Sequence, residues 1–542
     1  MRAAIAPIIV VTLLAARASA AGDTAVDLPY FTADPTGHHL RIGGKQFVIL
    51  GGELGNSSAS NVALAKPMFA KLAAMKLNTV LVPVSWELIE PAEGKWSFDL
   101  VGGLIREARR HKLHVVLLWF GSWKNGMSSY VPAWIKTDPQ RFPRAEVKGG
   151  RRVEALSAFS PANLQADARA FAALMRYVRG VDSRDHTVLL VQVENEVAMI
   201  DEAADRSAAA RAAFAAPVPK ELVDYLQARS AVLAPELARA WTANGKRTSG
   251  SWEEVFGRGV ATEELFMAWH YARYVSAVAQ AGRAAYALPM FVNAALNRPG
   301  KQPGQYPSGG PLPHLYDVWR AGAPDLSLLA PDIYLPDFAT WCDRYARQEN
   351  PLFIPEARND SEAGIRALYA IGRGAVGFSP FAIETTDDAA AAALTKAYGV
   401  LAELTPVLTD PRPKSMAGVL VDKDHPTQTF VFGETKLTVS HDYTFEWASP
   451  ARHDPVWPGA GGLLVEIGPD EYIVAGNGII VTFASVRPDV TVGIERVDEG
   501  AVTGGKFAAA RRLNGDETHQ GRHLRLPMGA LGVQRVKIYR FK

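Results

Sequence analysis

Short apolar runs alternate with segments of helical periodicity through roughly the first 405 residues. Residues 40–42, a Gly43-Gly44 turn and residues 46–50 predict a hairpin leading into a first strand, and residues 67–75 a helix. Runs at 79–84, 114–119 and 188–193 predict strands two to four, with helices over 100–112 and 162–179 between them. Runs at 288–293, 326–334, 351–355 and 375–381 predict strands five to eight, and a helix over 387–404 closes the set. Eight strands separated by helices predict an α/β fold, a closed parallel (β/α)8 TIM barrel.

Two stretches exceed a simple crossover. Residues 200–285 are Ala-rich and read as a helical insertion. Residues 296–324 are rich in Gly and Pro, including Gly304-Gln-Tyr-Pro-Ser-Gly-Gly310; because they follow a strand, they are expected on the catalytic face of the barrel. Thr409-Asp-Pro-Arg-Pro413 marks a boundary. Beyond it, alternating runs at 427–432, 463–467, 478–483 and 533–541 predict a smaller all-β, antiparallel, sandwich-like domain. The barrel is thus expected over residues 21–408 and the β domain over 416–542. Without an aromatic cluster, that domain reads as a brace for the barrel rather than a polysaccharide-binding module.

Composition narrows the classes. The chain has 542 residues, enough for a barrel and an accessory domain. With 58 basic and 56 acidic residues, nothing points to nucleic acid or an anionic membrane. Residues 1–20 read as a cleavable secretory signal: Arg2, an apolar stretch over 5–14, and Ala18-Ser19-Ala20 before Ala21. No Cys near the cleavage site offers a lipid anchor and no stretch is long enough for a membrane span, so a secreted or periplasmic protein is expected. Cys342 is the single cysteine, which excludes an internal disulfide, and it reads as a buried apolar residue. His38-His39 lacks the spacing of a metal site. No Gly-rich phosphate loop joins a strand to a helix, and no cofactor is called for.

The chemistry sits at strand ends. Asn195-Glu196 follows strand four and Glu356 follows strand seven. Two carboxylates on the C-terminal rim of a barrel can cleave a glycosidic bond, one protonating the leaving oxygen and the other attacking the anomeric carbon. Glu194 and Glu196 share strand parity, so parity alone does not choose between them, and Glu194 is expected to bind substrate. Arg358, two residues after Glu356, is the expected positive neighbour that keeps Glu356 ionised. Asn195 can bond the hydroxyl beside the anomeric carbon. Of the 12 Trp residues, Trp123 in Trp119-Phe-Gly-Ser-Trp-Lys-Asn125 is the best sugar platform, Trp119 divides between packing and stacking, and Trp86 is expected to floor the pocket. Asn125 and Glu384 are expected to bond hydroxyls, and Tyr334, ending strand six, to bond the nucleophile.

Val191-Gln-Val-Glu-Asn-Glu196 resembles the acid/base motif of glycoside hydrolase family 35, the β-galactosidases. Asn78-Thr-Val, Trp86-Glu-Leu-Ile-Glu-Pro91, Gly94-Lys-Trp-Ser-Phe98 and Pro132-Ala-Trp134 are similar to that family's second and third strand-end segments. The resemblance spans about residues 35–405, and the region from about 416 resembles the accessory domain of a bacterial branch. It implies Glu196 as acid/base and Glu356 as nucleophile. Glu53 falls in Gly52-Glu-Leu-Gly-Asn56, where many members read Gly-Glu-Ile-His-Tyr, and Ser122-Trp123 stands where many have Glu-Trp. Both segments shape the pocket for the terminal sugar.

The expected function is an exported retaining exo-β-galactosidase acting on oligosaccharides or plant-wall polysaccharide fragments. The alternatives are the same mechanism on β-glucose, α-arabinose or mannose, or a non-catalytic carbohydrate-binding barrel.

Overall fold

The computed structural model describes residues 28–409, 413, 415–445 and 450–542. The expected export segment 1–20 lies outside the described residues, as do 410–412 of the expected boundary. Eight strands build the barrel: β1 Ile49–Leu50, β2 Thr79–Ser85, β3 His114–Lys124, β4 Val188–Asn195, β5 Met290–Ala295, β6 Leu328–Ile333, β7 Phe353–Ala357 and β8 Gly377–Pro380. They form one parallel sheet in the order β1-β8-β7-β6-β5-β4-β3-β2. Backbone bonds from Leu81 N to Gly52 O (2.9 Å) and from Leu54 N to Leu81 O (3.0 Å) close it between β1 and β2. Every residue of β2 and β4 is buried, which is why those runs are continuously apolar rather than alternating.

A crossover helix follows each strand: α1 Val62–Ala74, α2 Asp99–Arg110, α3 Pro161–Asp182, α4 Val260–Ala285, α5 Tyr316–Gly322, α6 Phe338–Tyr345, α7 Ala363–Gly372 and α8 Asp388–Leu408; shorter helices also lie after β2 (Trp86–Ile89), β3 (Ala133–Lys136) and β4 (Ala208–Ala215, Lys220–Ala228, Pro235–Ala243 and Trp252–Phe256). Three expectations change. The helical insertion ends before residue 260, because α4 packs along α3 and is itself the crossover to β5. The loop after β5 is shorter than expected, since α5 occupies its last part. The expected first hairpin divides: Tyr30–Asp34, Gly37–Ile42 and Lys45–Phe47 form a separate antiparallel sheet. Its Leu40, Phe31, Ile42 and Phe47 pack in one apolar cluster with Ile49, Leu81, Val116, Phe291 and Leu328, so this sheet stoppers the barrel interior. Cys342 is buried on α6, and burial pushes its thiol up out of the reactive range.

The β domain has two antiparallel sheets. The larger is six-stranded, ordered Met416–Val421, Ala460–Gly468, Glu471–Asn477, Gly532–Phe541, Thr491–Thr503 and Lys506–Arg512. The smaller contains Thr427–Phe432, Thr435–His441, Ile479–Ser485 and Leu524–Leu526. Side chains alternate along the larger sheet: Leu464, Tyr472 and Val474 face the smaller sheet, whereas Leu463, Val465, Ile473 and Ala475 join the apolar core of the barrel. A sheet buried on both faces braces its neighbour.

Gly418 of the β domain packs closely on α7, where a Cβ on Gly418 would lie 2.1 Å from the carbonyl oxygen of Tyr369. Backbone cannot yield to it. Gly418→Ala is expected to destabilise the protein by about 2 kcal/mol, seen in calorimetry as a lower midpoint of unfolding. An unchanged midpoint would mean the two domains do not support each other.

Candidate active site

The C-terminal rim of the barrel collects the chemistry. β4 ends at Asn195, and both neighbours of that residue leave strand geometry: Glu194 has φ 62° and Glu196 φ 46°. Left-handed backbone at a non-glycine residue costs on the order of 1 kcal/mol and persists where the surroundings enforce it. Here the kink defeats strand parity. Glu196 turns into the pocket, with its backbone N–H donating to Asn293 Oδ1 (2.9 Å) and Asn125 Nδ2 donating to its carboxylate. Glu194 turns outward: it accepts from the backbone N–H of Trp123 (2.7 Å) and shares a wholly buried acid pair with Asp167 on α3. Burial and the adjacent Asp167 push the Glu194 carboxyl well above the usual range; fully buried and bonded to the Trp123 backbone, it is a wall residue and not the expected sugar ligand.

Glu356 stands on β7, opposite Asp332 of β6 in register. Tyr334 O–H donates to Glu356 Oε1 at 2.5 Å. Glu196, Asp332 and Glu356 each offer an oxygen within 4.8 Å of the other two. Such an all-oxygen set could ligate a hard divalent cation, but a cation already serves it: Lys124 at the end of β3 is 5% exposed, stacks its Nζ 5.1 Å from the Phe120 ring, and feels the charges of Glu356, Glu196, Glu53 and Asp332.

Four carboxyl groups around one lysine cannot all ionise. Burial first, then the charge of Glu356, pushes Glu53 and Asp332 well above the usual carboxylate range. The same two causes raise Glu196 to about 7, against the opposing pull of Lys124. The pocket therefore disfavours the charged forms of Glu53 and Asp332 and raises Glu196 to about 7, the environment a proton donor needs. Lys124→Met is expected to move the kcat/KM against pH profile alkaline by about one unit, because Glu196 and its neighbours lose the charge that favours ionisation. Lys124→Arg should retain the parent profile, and an unmoved profile in the Met variant would show that Lys124 is not their counter-ion.

Several expected ligands lie elsewhere. Trp123 is fully buried, edge-on to Tyr271 (5.2 Å) and Tyr274 (4.6 Å), because β3 runs on through it and an irregularity between Trp119 and Lys124 turns its ring outward. Gly121 permits that turn: a Cβ there would lie 2.2 Å from Trp119 Nε1 and 2.6 Å from Glu194 Oε1. Trp86 is also fully buried, bonded through Nε1 to Glu90 (2.9 Å) and packed on Trp119 and Trp134. Trp119 donates to Asp167 and is core. Glu384 accepts from Gly55 N–H and the Ser58 hydroxyl, and so braces the loop after β1. Arg358 is exposed and donates to the carbonyl of Tyr334, so the cation beside Glu356 is Lys124 instead.

The structure does bring together Glu53, Asn125, Asn195, Glu196, Tyr334 and Glu356. Both side-chain polar atoms of Asn195, Glu53 Oε1, Glu356 Oε2 and Asp332 Oδ1 are buried without a hydrogen-bond partner among the described residues. Unmet polar atoms clustered at a barrel mouth suit a polyhydroxylated ligand. Sequence reasoning missed Lys124, Asn293 and Asp332. Asn293 and Asp332 had a legible signal, a polar residue inside an otherwise apolar strand; Asn293 Nδ2 donates to Asp332 Oδ2 at 2.6 Å.

Comparisons with known proteins add four likenesses. Residues 394–525 match a domain of unknown function (DUF5597). A β-galactosidase of Xanthomonas manihotis is 30% identical over 203 residues, 36% of this chain and 31% of that protein, so the match spans about a third of the relative. Among solved structures, the β-galactosidase of the psychrophilic Marinomonas ef1 aligns with a TM-score of 0.46 at 13% identity, over 66% of this chain and 60% of that one. The cold-adapted β-galactosidase of Rahnella sp. R3 aligns with a TM-score of 0.45 at 16% identity, over 66% and 56% of the two chains.

Proposed function

We propose that this protein is a retaining glycoside hydrolase, an exo-β-galactosidase acting on oligosaccharides or polysaccharide fragments, and that it is exported. The carrying observation is the spacing of Glu196 and Glu356, whose nearest oxygens lie within 4.8 Å. Retaining pairs average about 5–5.5 Å between carboxyl groups and inverting pairs about 6.5–9.5 Å, and so close an oxygen pair supports retention. Glu356 attacks the anomeric carbon from one face while Glu196 gives its proton to the leaving oxygen. The Tyr334 hydroxyl holds the attacking carboxylate in line, and Asn195 meets the neighbouring sugar hydroxyl. Glu196, now ionised, takes a proton from water, which displaces Glu356 and releases the sugar with its configuration kept.

Galactose as the terminal sugar is supported by the name of the Xanthomonas relative. Export rests on Arg2, the apolar stretch 5–14 and Ala18-Ser19-Ala20. The test is a panel of aryl β-glycosides with Glu356→Gln as control. Hydrolysis of the β-galactoside that vanishes in the variant is the expected result. Hydrolysis of another glycoside alone would overturn the sugar, and inversion of the released sugar would overturn the mechanism.

A further inference from the structure

The walls of the barrel mouth are uneven. The loop after β5 is tied across the loop after β4 by paired backbone bonds between Met199 and Ser308 (2.8 and 2.9 Å). On the β1 and β8 side, Glu384 ties down Gly55 and Ser58. By contrast, only four residues separate β6 from α6 (334–337) and five separate β7 from α7 (358–362). Over these low walls lies an open groove of about 680 Å³, with the barrel on one side and the β domain on the other. On its barrel side it is lined by Tyr334, whose hydroxyl donates to Glu356, and by Arg358.

The far wall belongs to the β domain, and its segment is anchored: Gly459 N–H donates to Glu362 of the β7 loop at 3.0 Å. Next to this anchor Trp457 lines the groove as a half-buried indole, backed by His441 (4.7 Å) and Tyr443 (5.8 Å). Gln428 also lines it, with a buried Oε1 that has no hydrogen-bond partner among the described residues. An indole and an unmet amide oxygen match the apolar face and the hydroxyls of a sugar ring. Charge selects further. Arg366 is neutralised by Asp360 (2.9 Å) and Glu362 (2.8 Å), leaving Asp337 and Asp422 against Arg358, so the groove disfavours polyanions.

Resting on the hydrolase reading above, we infer that this groove is a leaving-group subsite for a neutral oligosaccharide chain, half of it supplied by the β domain. The domain thus takes part in substrate choice as well as bracing.

The test compares kcat/KM on a ladder of β-1,4-galacto-oligosaccharides, two to six units long, with kcat/KM on an aryl β-galactoside that ends at the catalytic rim. In the parent protein the value should rise with chain length. Trp457→Ala should lower the long-to-short ratio by about tenfold. Thr340→Trp, at an exposed position of α6 lining the groove, should do the same by filling space without removing a contact. Equal losses on both substrates, or an unchanged ratio in both variants, would overturn the inference. Should the parent protein hydrolyse neither substrate, the hydrolase reading fails instead, and calorimetric titration with the hexasaccharide then decides the groove. Binding weakened by both variants supports it; binding unaltered by them, or no binding to the parent, overturns it.

Discussion

Glu356→Gln is expected to lower kcat on an aryl β-galactoside by about 10⁴-fold or more while leaving the fold intact. The amide preserves the volume and can still accept from Tyr334, whose hydroxyl is 2.5 Å from Glu356 Oε1, but it cannot form the glycosyl ester. The replacement also removes a negative charge that raises Glu53, Glu196 and Asp332, so the variant should be no less stable than the parent. A smaller side chain adds a sharper readout. Glu356→Gly with azide should yield the α-glycosyl azide, because the anion enters the face that the carboxylate vacated. Near-parental turnover in either variant without added nucleophile would remove Glu356 from the mechanism.

Glu196→Gln is the second large effect. On substrates with poor leaving groups kcat/KM should fall by about 10²–10⁴-fold, whereas a dinitrophenyl galactoside, which needs no proton to depart, should lose little in its first step. The pH dependence has a definite sign. Glu196 must be protonated to act as an acid, and burial with the charge of Glu356 raises it to about 7. Activity of the parent should therefore decline as pH rises through about 7, and that limb should be absent from the variant. Azide should restore turnover of the variant on the activated substrate and give the β-glycosyl azide. Retention of the alkaline limb in Glu196→Gln would assign the acid elsewhere, with Asp332 the first candidate because it is within reach of both Glu196 and Glu356.

Much of the barrel was legible because a parallel strand covered on both faces must be apolar along its whole length. The runs before Glu196 and Glu356 carry that mark, and β4 is buried from end to end. Local rules also found helices α2, α3, α6 and α8 but not α5 or α7, and the first helix begins at the cap Asn61 and passes through Pro67 rather than starting there. The aromatic ligands were misread for a physical reason. An indole near a strand end faces sugar or core according to which way the backbone turns, and at β3 that turn depends on Gly121 lying against Trp119 of the same strand and Glu194 of β4. The alternate expectation for Glu194 failed in the same way, at a left-handed residue held by long-range contacts.

By itself, the sequence determined an eight-stranded α/β barrel, a following antiparallel domain, and two carboxylates on strands four and seven, since periodicity and strand ends are local properties of a chain. The tertiary structure alone decided the charge of the site. Whether an acid is neutral or ionised depends on burial and on charges brought near through space. Only the closed barrel sets Lys124 among Glu53, Glu196, Asp332 and Glu356, and only domain packing sets Trp457 across a groove from Tyr334.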